Sequence, residues 1–420
     1  MRAAGTGRRA ALLLAVVTAL GALSAVTAPP AWAACNQPVP PGATLPAGFG
    51  QDPLIDRLGL RRVWELSTGR GVTVAVVDSG VDARHPKLAG AVAPPLDFRP
   101  SFTSAAGFEV GAGTGDDCEN HGTPIAGLIA ARAAGDERVM GVAPDATIAP
   151  VRFDGALENA PATMIADAIR AGADRAGVLN LSFAVPVDNP AIRAAVKYAL
   201  DKDVVVVAAA GNEGRSQPGL TWYPAAYDGV LAVASVDEAG QPAQDSNRGK
   251  WVDVGAPGVN LVSLSAGGDG YIAVNGTSFA TAVASGVAAL VRARFPGLTG
   301  AEVVQRIEAS AVSLTGARDE RTGAGIIDVY RALTDVSAAA RSGAAPGPAG
   351  TAVRVLPVPQ QPPLLTGTAL TATVAMGILL ACAGIVAVAG VGGRRIARRR
   401  RGTAAPVYQE VAAIPEDRLG

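Results

Sequence analysis

Gly71 to Asp78 reads GVTVAVVD, a β-branched run that stays apolar until it ends on a carboxylate. A strand with one wet face alternates apolar and polar residues, whereas a strand covered on both faces does not, so this run predicts a parallel sheet flanked by helices. Four more segments repeat the pattern: Ala146 to Phe153, Val178 to Phe183 (VLNLSF), Val204 to Ala209 and Val230 to Val236. Helical segments lie between them at Thr123 to Ala133, Ala162 to Ala173 and Asn189 to Leu200. This alternation predicts one α/β core from about Leu54 to Leu333.

Outside that core the chain changes character. Arg8 and Arg9, the apolar run from Ala10 to Val26 and the small-x-small site Ala31-Trp32-Ala33 read as a secretory signal over residues 1–33, which would put the mature start at Ala34. An uncleaved anchor and a lipid on Cys35 are the alternatives; Trp32 stands where a lipoprotein site wants an aliphatic residue. A short extension (34–53) leads into the core (54–335), and an Ala/Gly/Pro-rich stretch at 336–366, including PVPQQPP, reads as a linker. No charge falls between Arg354 and Arg394, and Leu370 to Val391 meets the about 20 apolar residues a bilayer crossing needs, which places a transmembrane helix within 367–392. Six arginines from Arg394 to Arg401 follow it, so the positive-inside rule puts the tail (393–420) in the cytosol and everything before the helix outside.

The nominal charge of zero hides this organisation. Without Arg2, Arg8, Arg9, the six arginines after the apolar span, Arg418, Glu410, Glu416 and Asp417, 26 basic residues face 33 acidic ones. A body with that balance lacks the basic stripe that neutralises phosphates, which excludes nucleic acid as a partner. Of three cysteines, Cys382 lies in the apolar span, leaving Cys35 and Cys118 as one possible disulfide in an oxidising compartment. With His85 and His121 the only histidines and no Cys-x-x-Cys, no histidine-rich metal site can be built, and neither a metal nor another cofactor is expected.

Ligands of open parallel sheets collect at the carboxyl ends of strands. Asp78 ends the first run and is followed by Ser79-Gly80; His121 opens an apolar helical segment; Ser278 stands at the start of a small-residue helix running to Arg294. Each has a simpler reading alone, as a turn aspartate, a capping histidine and an N-cap serine. Together they are the groups of a serine hydrolase, because the hydroxyl is a poor nucleophile until a histidine takes its proton, and that imidazole needs a carboxylate to orient it. The order Asp, His, Ser differs from that of α/β-hydrolases, and no Gly-x-Ser-x-Gly elbow occurs. Asn212, after the VVVV strand, could offer its amide beside the Ser278 N–H to a developing oxyanion.

These residues sit in VAVVDSGVD, HGTPIAG, AAAGNEG and NGTSFATAVASG, accompanied by GVAPDATI and GAGIIDV, and the chain from about Arg61 to Leu333 thereby resembles the subtilisin-like serine proteases. The resemblance implies a three-layer α/β fold in which Asp78 orients, His121 is general base and acid, Ser278 is the nucleophile and Asn212 helps hold the oxyanion. It also implies that Ser182, Phe183 and Ala184, with Ala208, Ala209, Ala210 and Gly211, border the substrate's P1 side. Ala184 departs from the glycine common there, and its methyl narrows the expected cleft. A narrower similarity is to the mycosins, carried by DCENHGTPIAGLIAAR, the short extension, the Pro-rich linker and the single C-terminal apolar span. It implies a membrane-anchored extracytoplasmic endopeptidase with a peptide or protein substrate, associated with a type VII secretion membrane complex. The alternative is a structural component of that complex, with proteolysis secondary.

The extension from Cys35 to Gly50 has no hydrophobic periodicity and should be irregular; if Cys35 pairs with Cys118, it is pinned beside His121, over or next to the cleft. Asp82 and His85 should shape the loop after Asp78, and Asn180 should satisfy buried backbone. Asp116, Asp117 and Glu119, lacking an EF-hand pattern, are expected to be solvated rather than calcium ligands.

Overall fold

The computed structural model describes residues 35, 39–101, 104–153 and 160–335. The signal segment, the linker, the apolar span and the arginine-rich tail lie outside the described residues, and among those described no helix is long and apolar enough to cross a membrane.

Two short helices, α1 (Pro53–Arg57) and α2 (Leu60–Trp64), lead into β1 (Thr73–Asp78), the strand of the GVTVAVVD run. β1 lies inside an eight-stranded sheet of order β3-β2-β4-β1-β5-β6-β7-β8, formed by β2 (Leu96–Pro100), β3 (Phe108–Ala112), β4 (Thr147–Phe153), β5 (Val178–Leu181), β6 (Val205–Ala209), β7 (Leu231–Val236) and β8 (Val254–Pro257). Every neighbouring pair is parallel except β2 with β3. A second, two-stranded sheet is the hairpin β9 (Leu261–Leu264) and β10 (Tyr271–Val274).

Side chains alternate across a strand, and over the central strands both faces of this sheet are dry. Val74, Val76, Ile148, Val205, Val207, Leu231 and Val233 pack on one side with α3 (Gly122–Ala130) and, through Val283 and Val287, with a long helix near the end of the fold. Ala75, Val77, Val151, Leu179, Leu181, Val206 and Ala208 pack on the other with Met164, Ile165 and Ile169 of α4 (Ala162–Ala173) and Ile192 and Val196 of α5 (Pro190–Asp201). The long helix, α6 (Thr277–Arg294), is buried from Thr277 to Val291, and its alanines, serines and glycine let it lie close to the strands. Local chemistry sets the helix starts. Asn189 caps α5 ahead of Pro190, and a Thr299/Glu302 capping box opens α7 (Gly300–Ser310); α8 (Val329–Thr334) closes the described chain.

The strands missing from the sequence reading are β2, β3, β8 and the β9–β10 hairpin. LDFRP and FEVGA mix charge with apolar residues at the sheet edge, and VGAP carries glycine and proline, so none shows a buried-strand pattern. The extension also differs from a purely irregular segment: Ala43 pairs antiparallel with Tyr271, its N–H reaching the Tyr271 carbonyl at 2.9 Å and its carbonyl accepting in return at 2.8 Å. Cys35 and Cys118 are joined by a disulfide.

That disulfide closes a loop with a sequence separation of 83, which removes much freedom from the unfolded chain. Replacing both cysteines by serine is expected to lower unfolding free energy by about 2–4 kcal/mol in urea denaturation; an unchanged midpoint would show that the extension contributes nothing to stability.

Candidate active site

Asp78 is the last residue of β1, beside Arg152 on β4, and is 5% exposed. Its Oδ1 accepts the Ser79 N–H at 2.8 Å and lies 2.8 Å from His121 Nδ1. An ionised carboxylate only accepts, so Nδ1 carries the proton and Nε2 is left as the nitrogen that can take one. His121 occupies the N-cap position of α3 without capping it through its side chain. Gly122 permits this close approach: a Cβ there would stand 2.1 Å from the Gly80 carbonyl oxygen and 3.2 Å from Asp78 Cβ.

Burial alone would lower the basicity of His121. The negative charge of Asp78, the hydrogen bond to it, and the charges of Asp117 and Glu119 outweigh burial and raise the pKa from 6.5 to about 9. His85 moves the other way, lowered by burial against a lesser opposing contribution from its hydrogen bond to the Gly270 carbonyl.

Ser278 is the second residue of α6, not its cap; Gly276, at φ 135°, holds the N-cap position. The Ser278 hydroxyl donates to the Ser182 carbonyl at 3.0 Å, and the Ser182 hydroxyl donates back to the Ser278 carbonyl at 3.1 Å. This reciprocal pair ties the end of β5 to the start of α6, and among the described residues no hydrogen bond joins Ser278 to His121. The His121 ring instead packs on Phe279, centroids 5.4 Å apart.

Asn212 follows β6 and is exposed. Its Oδ1 accepts from Thr277 N at 2.9 Å and from Thr277 Oγ1 at 3.1 Å, while that hydroxyl accepts the Gly211 N–H at 3.1 Å. Holding the oxygen end of the amide leaves Nδ2 as its free donor end, near the first-turn N–H groups that a helix leaves without an intrahelical acceptor. Sequence reasoning missed Thr277, because a threonine at a helix start signals nothing beyond capping.

The two segments expected to border substrate lie at and just beyond the carboxyl ends of the neighbouring strands β5 and β6. Ser182 and Phe183 are buried, Ala184 is half-buried, and Ala208, Ala209, Ala210 and Gly211 are buried. A Cβ at Gly211 would stand 2.3 Å from Asn247 Nδ2, 2.8 Å from Glu213 Oε2 and 3.1 Å from the Ala184 methyl, so the two segments pack closely there and glycine is required. The carboxyl ends of β1, β5 and β6 therefore gather Asp78, Ser182 and Asn212 on one edge of the sheet.

The neighbouring polar residues have other roles. Asp82 is buried and accepts from Arg84 and from the Gly267 N–H at 3.0 Å. Among the described residues Asn180 bonds side chains and not backbone: its amide donates to Ser182 Oγ at 2.8 Å and accepts from Ser285 Oγ at 3.0 Å. Asp116 pairs with Arg84 at 3.2 Å. Asp117 is 2% exposed, against the expectation of a solvated side chain, because Ser79 and the start of α3 supply donors to it. Among the described residues no group of three His, Cys, Asp or Glu is placed to hold a metal ion.

Residues 69–325 match the Subtilase family, peptidase S8, and the chain belongs to it; it is a subtilisin-like serine endopeptidase. Within that family it belongs with the mycosins. It is 35% identical to Mycosin-1 of Mycobacterium tuberculosis (strain ATCC 25618 / H37Rv), over 86% of this chain and 95% of that protein. The crystal structure of MycP1 with its N-terminal propeptide removed superposes with a TM-score of 0.59 at 34% identity, covering 68% of this chain and 97% of that one. A chain in the periplasmic assembly from the ESX-5 inner membrane complex gives a TM-score of 0.61 at 30% identity, with 79% and 94% covered.

The two histidines should titrate apart in histidine-selective NMR, His85 below 6.5 and His121 toward about 9. Since His121 gains basicity on folding, its contribution to stability is complete below pH 6.5 and is lost as pH rises through about 9. Asp78→Asn should bring the His121 midpoint down; a midpoint unmoved by that change would mean the 2.8 Å contact has no electrostatic effect.

Proposed function

We propose that the chain is a membrane-tethered extracytoplasmic endopeptidase in which Ser278 attacks the scissile carbonyl. His121 Nε2 takes the serine proton and later gives it to the leaving amine, while Asp78 fixes the Nδ1–H tautomer and stabilises the imidazolium. The peptide C–N bond breaks as an ester to Ser278 Oγ forms, and water then hydrolyses that ester with His121 again the base. Asn212 Nδ2 and the Ser278 N–H hold the oxyanion. The 2.8 Å bond between Asp78 and His121, on the sheet edge that also carries Ser182 and Asn212, is the observation that carries this reading. At rest the Ser278 hydroxyl is bound to Ser182 O, so the cycle begins when it turns to His121.

Ser182 to Ala184 and Ala208 to Gly211 form the P1 side, which the Ala184 methyl narrows. The signal segment, linker, apolar span and arginine cluster support a single-pass anchor with the catalytic domain outside and the C-terminus in the cytosol. Likeness to the mycosins and to a chain of the ESX-5 periplasmic assembly supports service to type VII secretion. That second likeness also favours an alternative, in which the folded domain chiefly stabilises a membrane secretion complex.

Asn212→Ala should lower kcat by about 10²–10³-fold with little change in KM, read by hydrolysis of a fluorogenic peptide; an unchanged kcat would remove Asn212 from the oxyanion site. Ser278→Ala should fail to complement a secretion defect if proteolysis is the function, whereas full rescue would make the structural role the principal one.

A further inference from the structure

Beside the Asp78–His121 pair lies a buried carboxylate that the proposed cycle does not use. Asp117 Oδ1 accepts the Ser79 hydroxyl at 2.8 Å and, at longer range, the N–H groups of Glu119 at 3.3 Å and His121 at 3.4 Å. Asp117 Oδ2 accepts the Thr123 N–H at 2.7 Å. None of these donors is a basic side chain, so the charge is held almost wholly by main-chain N–H groups at the start of α3 and by one hydroxyl.

That hydroxyl is the informative one. Ser79 Oγ is also 3.2 Å from Asp78 Oδ1, the oxygen that receives the His121 Nδ1 proton. A serine has a single proton to give. The shorter contact leads to Asp117, and the Gly122 N–H donates into the serine oxygen at 3.1 Å, which suits a hydroxyl whose proton points away from Asp78. If the proton turned to Asp78 instead, it would compete with His121 for the same oxygen and weaken that oxygen's hold on the imidazole.

We propose that Asp117 is a positioning residue for His121: it anchors the first turn of α3 and captures the Ser79 hydroxyl proton, so that Asp78 Oδ1 is reserved for the imidazole. This rests on the reading of His121 as the proton carrier. The anionic groups acting on His121 are Asp78, Asp117 and Glu119, so Asp117 influences it both by its own charge and through Ser79.

The test is a set of His121 titrations in the full-length chain in detergent, with nitrogen-15-labelled histidine, alongside peptide hydrolysis. Asp117→Asn should lower the His121 midpoint by about one pH unit and kcat by about tenfold, leaving KM unchanged. Ser79→Ala should leave the midpoint where it is in the unmodified chain, because the lost proton was not on Asp78. In the double variant the drop should shrink to about half, the part due to charge alone. A folded Asp117→Asn chain with an unchanged His121 midpoint would overturn the proposal and reduce Asp117 to a structural residue. So would a Ser79→Ala midpoint raised by about half a unit or more, which would put the hydroxyl proton on Asp78. Should Asp117→Asn not fold, Ser79→Ala alone decides where that proton lies. Retained hydrolysis by Ser278→Ala would remove the proposed triad but leave these titrations valid, so the two failures are distinguishable.

Discussion

A buried carboxylate at the end of a central strand must find donors, and Asp78 finds them in the Ser79 N–H and the imidazole of His121. Around the 2.8 Å bond between them the local structure is arranged: β1 ends on Asp78, α3 begins at His121, and Gly122 lets their backbones meet. The stability of the bond depends on the sheet. Both faces of β1 are dry, so Asp78 cannot retreat into water without moving strands packed on either side. Neighbouring strand ends then bring Ser182 and Asn212 to the same edge, and α6 adds Ser278. The small residues of α6 let it approach closely enough for the reciprocal hydrogen bonds between Ser182 and Ser278.

The central strands were legible because burial on both faces leaves a mark that sequence can carry, an unbroken β-branched run with turn residues at its ends. Helix α4 was readable to the residue, Ala162–Ala173, as its apolar stripe has a helical period. The edge strands were not, since LDFRP and FEVGA owe their conformation to neighbours rather than to local pattern. The site divides in the same way. Asp78, His121, Ser278 and Asn212 lie in recognisable motifs, whereas Thr277 bonds to Gly211 and Asn212 far away in sequence and Asp117 meets the distant Ser79, so that they look like an ordinary helix start and an ordinary acidic loop. The solvated reading of Asp117 failed because composition cannot reveal that Ser79 and Thr123 would be folded against it.

The extension and the loop before His121 form one mechanical unit. Cys35 is bonded to Cys118, Ala43 is paired with Tyr271, and Asn120, in the left-handed region at φ 54°, accepts the Ala266 N–H at 2.7 Å. Gly267 in turn donates to Asp82. The strap thus lies against the 265–271 turn on the histidine side of the domain, and its disulfide is one residue from Asp117. Its covalent attachment limits how far the segment from Asp116 to His121 can shift.

Covalent labelling with a serine-reactive phosphonate measures most directly whether Ser278 and His121 act together. The folded chain should be labelled at Ser278, with neither Ser278→Ala nor His121→Ala taking up the probe. A folded, unmodified chain that remained unlabelled, with its Ser278 hydroxyl still held by Ser182, would contradict a working protease site and favour the structural role in a secretion complex.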